Sequence, residues 1–124
     1  MKLIVDTNKV PYQWIDRRVE FPGVGEIPDK VRSVEQIAYK FFGRDARSGP
    51  WVYLVKFPAG QHVPRHSHES DRVEYLLEGE IEFEGEVVGA GGFSYITAGV
   101  EYEYDVLKDT TIFLVFNGPP GLAM

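Results

Sequence analysis

The chain has 124 residues, 44% apolar and 26% charged, with a formal net charge of −6 at neutral pH. That suits one soluble domain with a single core. It argues against nucleic acid and anionic membranes as partners, since both need clustered Lys and Arg. The absence of cysteine excludes disulfides and thiolate metal sites, leaving imidazole, carboxylate or phenolate as metal donors. The opening "MKLIVDTNKV" is too short and too quickly polar for a signal peptide, and no apolar run approaches membrane-spanning length, so cytoplasm is the expected location.

Thirteen glycines and eight prolines are spread along the chain, with short runs rich in Val, Ile, Tyr and Phe between them, the spacing of an all-β sandwich or barrel. Tyr12 and Trp14 in the N-terminal arm are candidates for a dimer contact or for packing on the chain's own barrel. "PGVGEIP" (22–28) reads as a loop. "SVEQIAYKFF" (33–42) is ambiguous. Ser33 with Gln36 could cap a helix, and Val34, Ile37, Ala38 and Phe41 could share one helical face. A strand is preferred, because turns flank the segment and "GRDARSGP" leads straight into the strand "WVYLVKF" (51–57).

"VEYLLEGEIEFEGEVVGAGGFSYI" (73–96) reads as several strands separated by Gly turns. Within it, Glu80, Glu82, Glu84 and Glu86 alternate, which predicts a solvated outer face with Ile81 and Phe83 turned inward. "EYEYDVL" (101–107) alternates like a half-exposed strand. "TTIFLVF" (110–116) is continuously apolar, as expected of a strand buried on both faces, and "NGPPG" ends it. Most strand aromatics, among them Tyr53, Tyr75, Phe93, Tyr95, Phe113 and Phe116, are expected in the core.

All three histidines fall in "HVPRHSHESDRVEYLLEGE" (62–80). On a strand, His66 and His68 point the same way, about 7 Å apart along the chain, and can converge on one ion. His62 shares their parity but lies about 13 Å further back if the strand is extended. It is therefore expected as a pocket-wall residue.

This segment resembles the first motif of the cupin superfamily: Gly, five residues, His-x-His, three or four residues, Glu, six residues, Gly. Gly60, His66, His68 and Gly79 stand in the matching places. The second motif, Gly, five residues, Pro-x-Gly, two residues, His, is matched by Gly91, "TAG" (97–99) and then Tyr102 in place of the histidine. "GPWVYLVKFPAG" is similar to the branch that includes anti-sigma-factor sensor domains and diketone dioxygenases.

The resemblance implies a jelly-roll β-barrel with an N-terminal β arm, one domain over 1–124, with arm and strands in 1–50 and the barrel in 51–118. It implies a mononuclear divalent transition metal (Fe, Zn, Ni or Mn) held by His66 and His68. Glu74 and Tyr102 are the further candidates as ligands and catalytic groups. Counting back from Gly79 puts Arg72 at the family's glutamate position. If Arg72 faces inward, it could hold a substrate carboxylate by a bidentate contact. The implied function is a metal enzyme acting on a small oxygen-rich molecule, dioxygenase-like or isomerase/lyase-like. The alternative is a non-catalytic ligand-binding or sensor domain with a degenerate metal site. A homodimer is the implied assembly.

Overall fold

A computed structural model describes residues 2, 4–14, 37–42 and 50–123. Their elements, in order, are a 3₁₀ turn (Thr7–Lys9) and eight strands: β1 (Gln13–Trp14), β2 (Ala38–Phe41), β3 (Trp51–Phe57), β4 (His62–His66), β5 (Arg72–Phe83), β6 (Glu86–Gly89), β7 (Phe93–Ile96) and β8 (Tyr102–Phe116). The strand expected around 33–42 is present as β2 and pairs antiparallel with β3. Residues 22–28, 33–36 and 43–49, expected as a loop, the rest of that strand and a turn, lie outside the described residues.

The two long strands β5 and β8 form the spine of a jelly roll. The second half of β8 pairs with β3 and the first half of β5, and the first half of β5 also pairs with β7. The first half of β8 pairs with β4 and the second half of β5, which pairs in turn with β6. Register shifts along the β5–β8 ladder between Leu76 and Ile81 bend the spine between these halves. Gly79 sits at that bend with φ +99°, and a Cβ there would collide with Thr110 and the Asp109 carbonyl, so only glycine fits.

Alternation along the strands sorts the side chains. Inward residues form two clusters. Ile37, Tyr39, Trp51, Tyr53, Val55 and Phe116 make one, Leu76, Ile81, Tyr102, Tyr104 and Ile112 lie in the other, and Phe57 and Leu114 touch both. Ile81 is buried, Phe83 packs on the second cluster and Glu82 faces solvent, as the acidic alternation predicts, but Glu80 is half-buried and the alternation ends at the Glu84–Gly85 turn, beyond which the exposed Glu86 lies opposite Phe83.

The apolar run of β8 departs from expectation. Phe113 is 39% exposed, because β8 has a solvent face here. Direct cross-strand pairs put Leu54, Phe113, Tyr75 and Phe93 in one row and Val52, Val115, Val73 and Tyr95 in the next. Phe93 is 62% and Tyr95 54% exposed, so this outer face is an apolar ladder rather than core. Tyr12 packs on its own chain, with the Lys40 and Lys56 ammonium groups 4.4 and 4.6 Å from its ring centre.

Candidate functional site

The site lies where β4 meets the start of β8. Val63 pairs with Tyr104, but His66 pairs with Tyr102, so β4 carries one extra residue between them. That bulge reverses the parity of the strand. Val63 and His66 both face inward, and His62 faces out. His62, expected as a pocket wall, therefore stands on the surface, its Nδ1 2.7 Å from Asp105 and its side chain 54% exposed.

His66 and His68 meet as expected, with ring centres 4.9 Å apart. Tyr102 joins them. Its hydroxyl is 2.9 Å from His66 Nε2 and 3.0 Å from His68 Nε2. The far nitrogen of each imidazole is committed to a backbone carbonyl: His66 Nδ1 donates to Pro64 O at 2.6 Å, and His68 Nδ1 to Gly121 O at 2.7 Å. A carbonyl only accepts, so both Nδ1 atoms carry the proton and both Nε2 lone pairs aim at one hydroxyl.

Burial lowers the His66 pKa. It also lowers that of His68, to about 4, helped by His66 and Arg72, so both rings are neutral near pH 7. Burial raises the Tyr102 pKa, with Arg72 opposing, so the phenol keeps its single proton. One proton satisfies one lone pair. The other Nε2 is left facing oxygen.

The segment that fixes His68 reads in the sequence only as a strand terminator. After β8, "GPPGLA" (118–123) crosses back over the β4–β5 connection. Ser67 and Ala123 exchange two backbone hydrogen bonds, Glu69 N donates to Pro120 O, and Ser70 Oγ donates to Pro119 O. Phe116 packs against the His68 ring at 4.8 Å. Two prolines and two glycines announce irregular backbone, but nothing in them announces a carbonyl aimed at a histidine.

Arg72 and Glu74 also face inward, 2% and 1% exposed, and find each other: Arg72 Nη1 lies 2.7 Å from Glu74 Oε2. The contact is a close, buried ion pair. Burial opposes the charge of Arg72, but Glu74 and the two tyrosines outweigh it and raise its pKa. The guanidinium stacks 4.2 Å over the Tyr102 ring. Asp71 points the other way, accepting from Ala98 N and the Tyr95 hydroxyl.

Among the described residues no three His, Asp or Glu side chains gather closely enough to hold a metal. The donors that do converge are two imidazoles and a phenol. That set fits an ion that favours imidazole, through His66, His68 and Tyr102, while Glu74 is engaged with Arg72.

This fold has a family. A family model described as "ChrR Cupin-like domain" matches residues 30–120. The chain belongs to the ChrR cupin-like family. An RmlC-like cupin protein from Ralstonia eutropha superposes with a TM-score of 0.72 at 22% identity, over 95% of this cupin and 69% of that chain. An acetylacetone dioxygenase from Acinetobacter johnsonii gives 0.64 at 14%, over 95% and 74%. The complex of Rhodobacter sphaeroides SigE with the anti-sigma ChrR gives 0.57 at 20%, over 64% and 44%. At these identities the likeness concerns the fold. No curated protein matches this cupin at a significant level. No helix among its described residues is long and apolar enough to cross a membrane.

Proposed function

We propose that this cupin binds one divalent transition metal through His66, His68 and Tyr102, and that the centre acts on a small oxygen-rich organic molecule. The observation that carries the reading is the pair of Nε2 lone pairs, 2.9 and 3.0 Å from a hydroxyl with a single proton to give. Backbone carbonyls hold both imidazoles in the tautomer a metal needs, before any metal arrives. Imidazole donors favour zinc or nickel over manganese, and a two-histidine, one-carboxylate iron site would require Glu74 to leave Arg72. Bound there, the ion would supply Lewis acidity. The chain's own residues orient the two rings, and Tyr102 Oη would release its proton on taking its place at the ion.

Metal analysis of protein prepared without a histidine tag tests the reading. About one equivalent of zinc or nickel is expected, falling below about a tenth in the His66→Ala, His68→Ala double variant. Less than a tenth in the parent protein after reconstitution would reject it. Oxygen uptake with β-diketones and hydroxyaryl ketones by iron-loaded protein then tests the dioxygenase form, which rests on analogy with the acetylacetone dioxygenase neighbour.

A second reading, a ligand sensor without turnover, is favoured by one feature: Glu74 is held in an ion pair instead of standing with the histidines. The ChrR relationship supports it too, since one neighbour is an anti-sigma factor seen with its sigma factor. Ligand binding at unchanged ligand composition over hours would distinguish it from an enzyme. For assembly we infer a homodimer. The apolar ladder around Phe93 and Phe113 supports it, since a second copy would take these rings out of water.

A further inference from the structure

The three donors meet inside the barrel, and an ion must pass something to reach them. Tyr102 is 3% and His66 7% exposed, while His68 is the one donor of the three that is partly exposed. The way in therefore runs past His68. The element that holds the His68 ring there is the segment 118–123, through Gly121 O.

This segment is tied down by hydrogen bonds to one short stretch. Pro119 O accepts from Ser70 Oγ, Pro120 O from Glu69 N and Gly121 O from His68 Nδ1, and Ala123 exchanges two bonds with Ser67. Every one of these ties ends on 67–70, the irregular connection between β4 and β5. No residue of 117–123 joins either core cluster, and Pro120 is the only one of them that is buried. A stretch held by a few hydrogen bonds and one buried side chain opens at a fraction of the free energy that unfolds the core. The main chain of His68 is anchored independently, because Gly99 N donates to its carbonyl. Lifting 118–123 therefore frees the His68 ring and leaves its backbone in place.

We propose that residues 118–123 form a gate over the histidine pair. Lifted, they open a path past His68. Closed, they return Gly121 O to Nδ1 and aim Nε2 back at the site. The gate rests on the reading of His66, His68 and Tyr102 as metal donors, and it adds how the ion enters and leaves.

The chain has no cysteine, so one engineered cross-link can lock the gate. Ser67 and Ala123 are an antiparallel pair that exchanges both backbone hydrogen bonds, which puts their Cα atoms about 5.5 Å apart, within the span of a disulfide. The variant Ser67→Cys, Ala123→Cys is locked when oxidised and released by dithiothreitol. Metal-free protein is treated with diethyl pyrocarbonate, and modification of each histidine is followed by mass spectrometry, with the exposed His62 as internal standard. Oxidation should slow modification of His68 about tenfold or more and leave His62 unchanged. Gly121→Ala should speed it, because Gly121 has φ +54° and a Cβ there would press on Glu69. Equal His68 rates in the oxidised and reduced forms would overturn the gate. So would amide exchange at Ser67, Glu69 and Ala123 of the parent chain as slow as at Ile112 in the core. Zinc uptake and chelator-driven release should both slow by the same factor in the oxidised form, at unchanged zinc content, and equal zinc rates in the two forms would again reject it. Protein that takes up no zinc in either form defeats the metal reading, and His68 modification still decides the gate.

Discussion

Arg72 Nη1 lies 2.7 Å from Glu74 Oε2 inside the barrel, with the two side chains 2% and 1% exposed. Neither charge is tolerable there alone. Arg72→Met should destabilise the chain by about 3–5 kcal/mol, because a buried carboxylate is left without its cation. The double variant Arg72→Met, Glu74→Leu should recover most of that loss, since a well-packed apolar pair of similar volume does as well as a buried ion pair. Urea denaturation with a double-mutant cycle measures both, and a single variant within about 1 kcal/mol of the parent would contradict the coupling.

Gly79 and Gly60 both have positive φ, at +99° and +87°, but only Gly79 has neighbours where a Cβ would go. Gly60→Ala should therefore cost only the backbone term, about 1–2 kcal/mol. Gly79→Ala should cost more, because Thr110 and the Asp109 carbonyl must also move, and with them the bend between the halves of β5 and β8. Thermal unfolding of the two variants decides it, and equal losses would refute the packing argument.

Much of this was legible before the fold. The strands, the inward turn of Ile81 and Phe83, and the shared direction of His66 and His68 all follow from a period of two. Tyr102 was reached through the second motif. Period two misplaces His62, because a one-residue bulge at Pro64 reverses parity; the proline marks a bend there but not its direction. The apolar run 110–116 suggested burial on both faces because composition cannot say whether a hydrophobic outer face is covered, and Phe113 is not. The sequence suggests a binding role for each of Arg72 and Glu74, yet two residues apart on one inward face they are also placed to pair with each other.

Acid should destabilise the metal-free protein. Burial, then His66 and Arg72, hold the His68 pKa at about 4, below its ordinary 6.5. The unfolded chain then takes up its proton first as pH falls, so the stability is fully present above about pH 6.5 and is lost progressively towards pH 4. His66 is shifted in the same direction. The loss from His68 is up to about 3 kcal/mol. Stability measured across that window should flatten in His68→Gln, and an unchanged slope would remove His68 as the cause.

Tyr102→Phe separates a ligand from a spectator. The hydroxyl touches both Nε2 atoms and carries the only proton between them. Without it, the metal-free protein should lose no more than about 1–2 kcal/mol, since one hydrogen bond goes and a second lone pair is freed. Zinc affinity should fall about tenfold or more if the phenol completes the donor set. Competition with a chromophoric chelator reads the affinity, and wild-type zinc binding by Tyr102→Phe would leave the metal to the two imidazoles alone.

The apolar ladder predicts the behaviour of the outer face. Tyr75 is the direct cross-strand partner of both Phe93 and Phe113, and all three rings are between 39% and 62% exposed. A second copy that covers this row should give a dimer whose mass in sedimentation equilibrium is twice that of the chain. Phe93→Glu, Tyr75→Lys should convert it to monomer, because two charges at the centre of an apolar contact lose their hydration on association. The fold of the monomer should survive, since neither side chain belongs to the core clusters. A parent chain that sediments as monomer at micromolar concentration, or a double variant that stays dimeric, would move the assembly surface elsewhere.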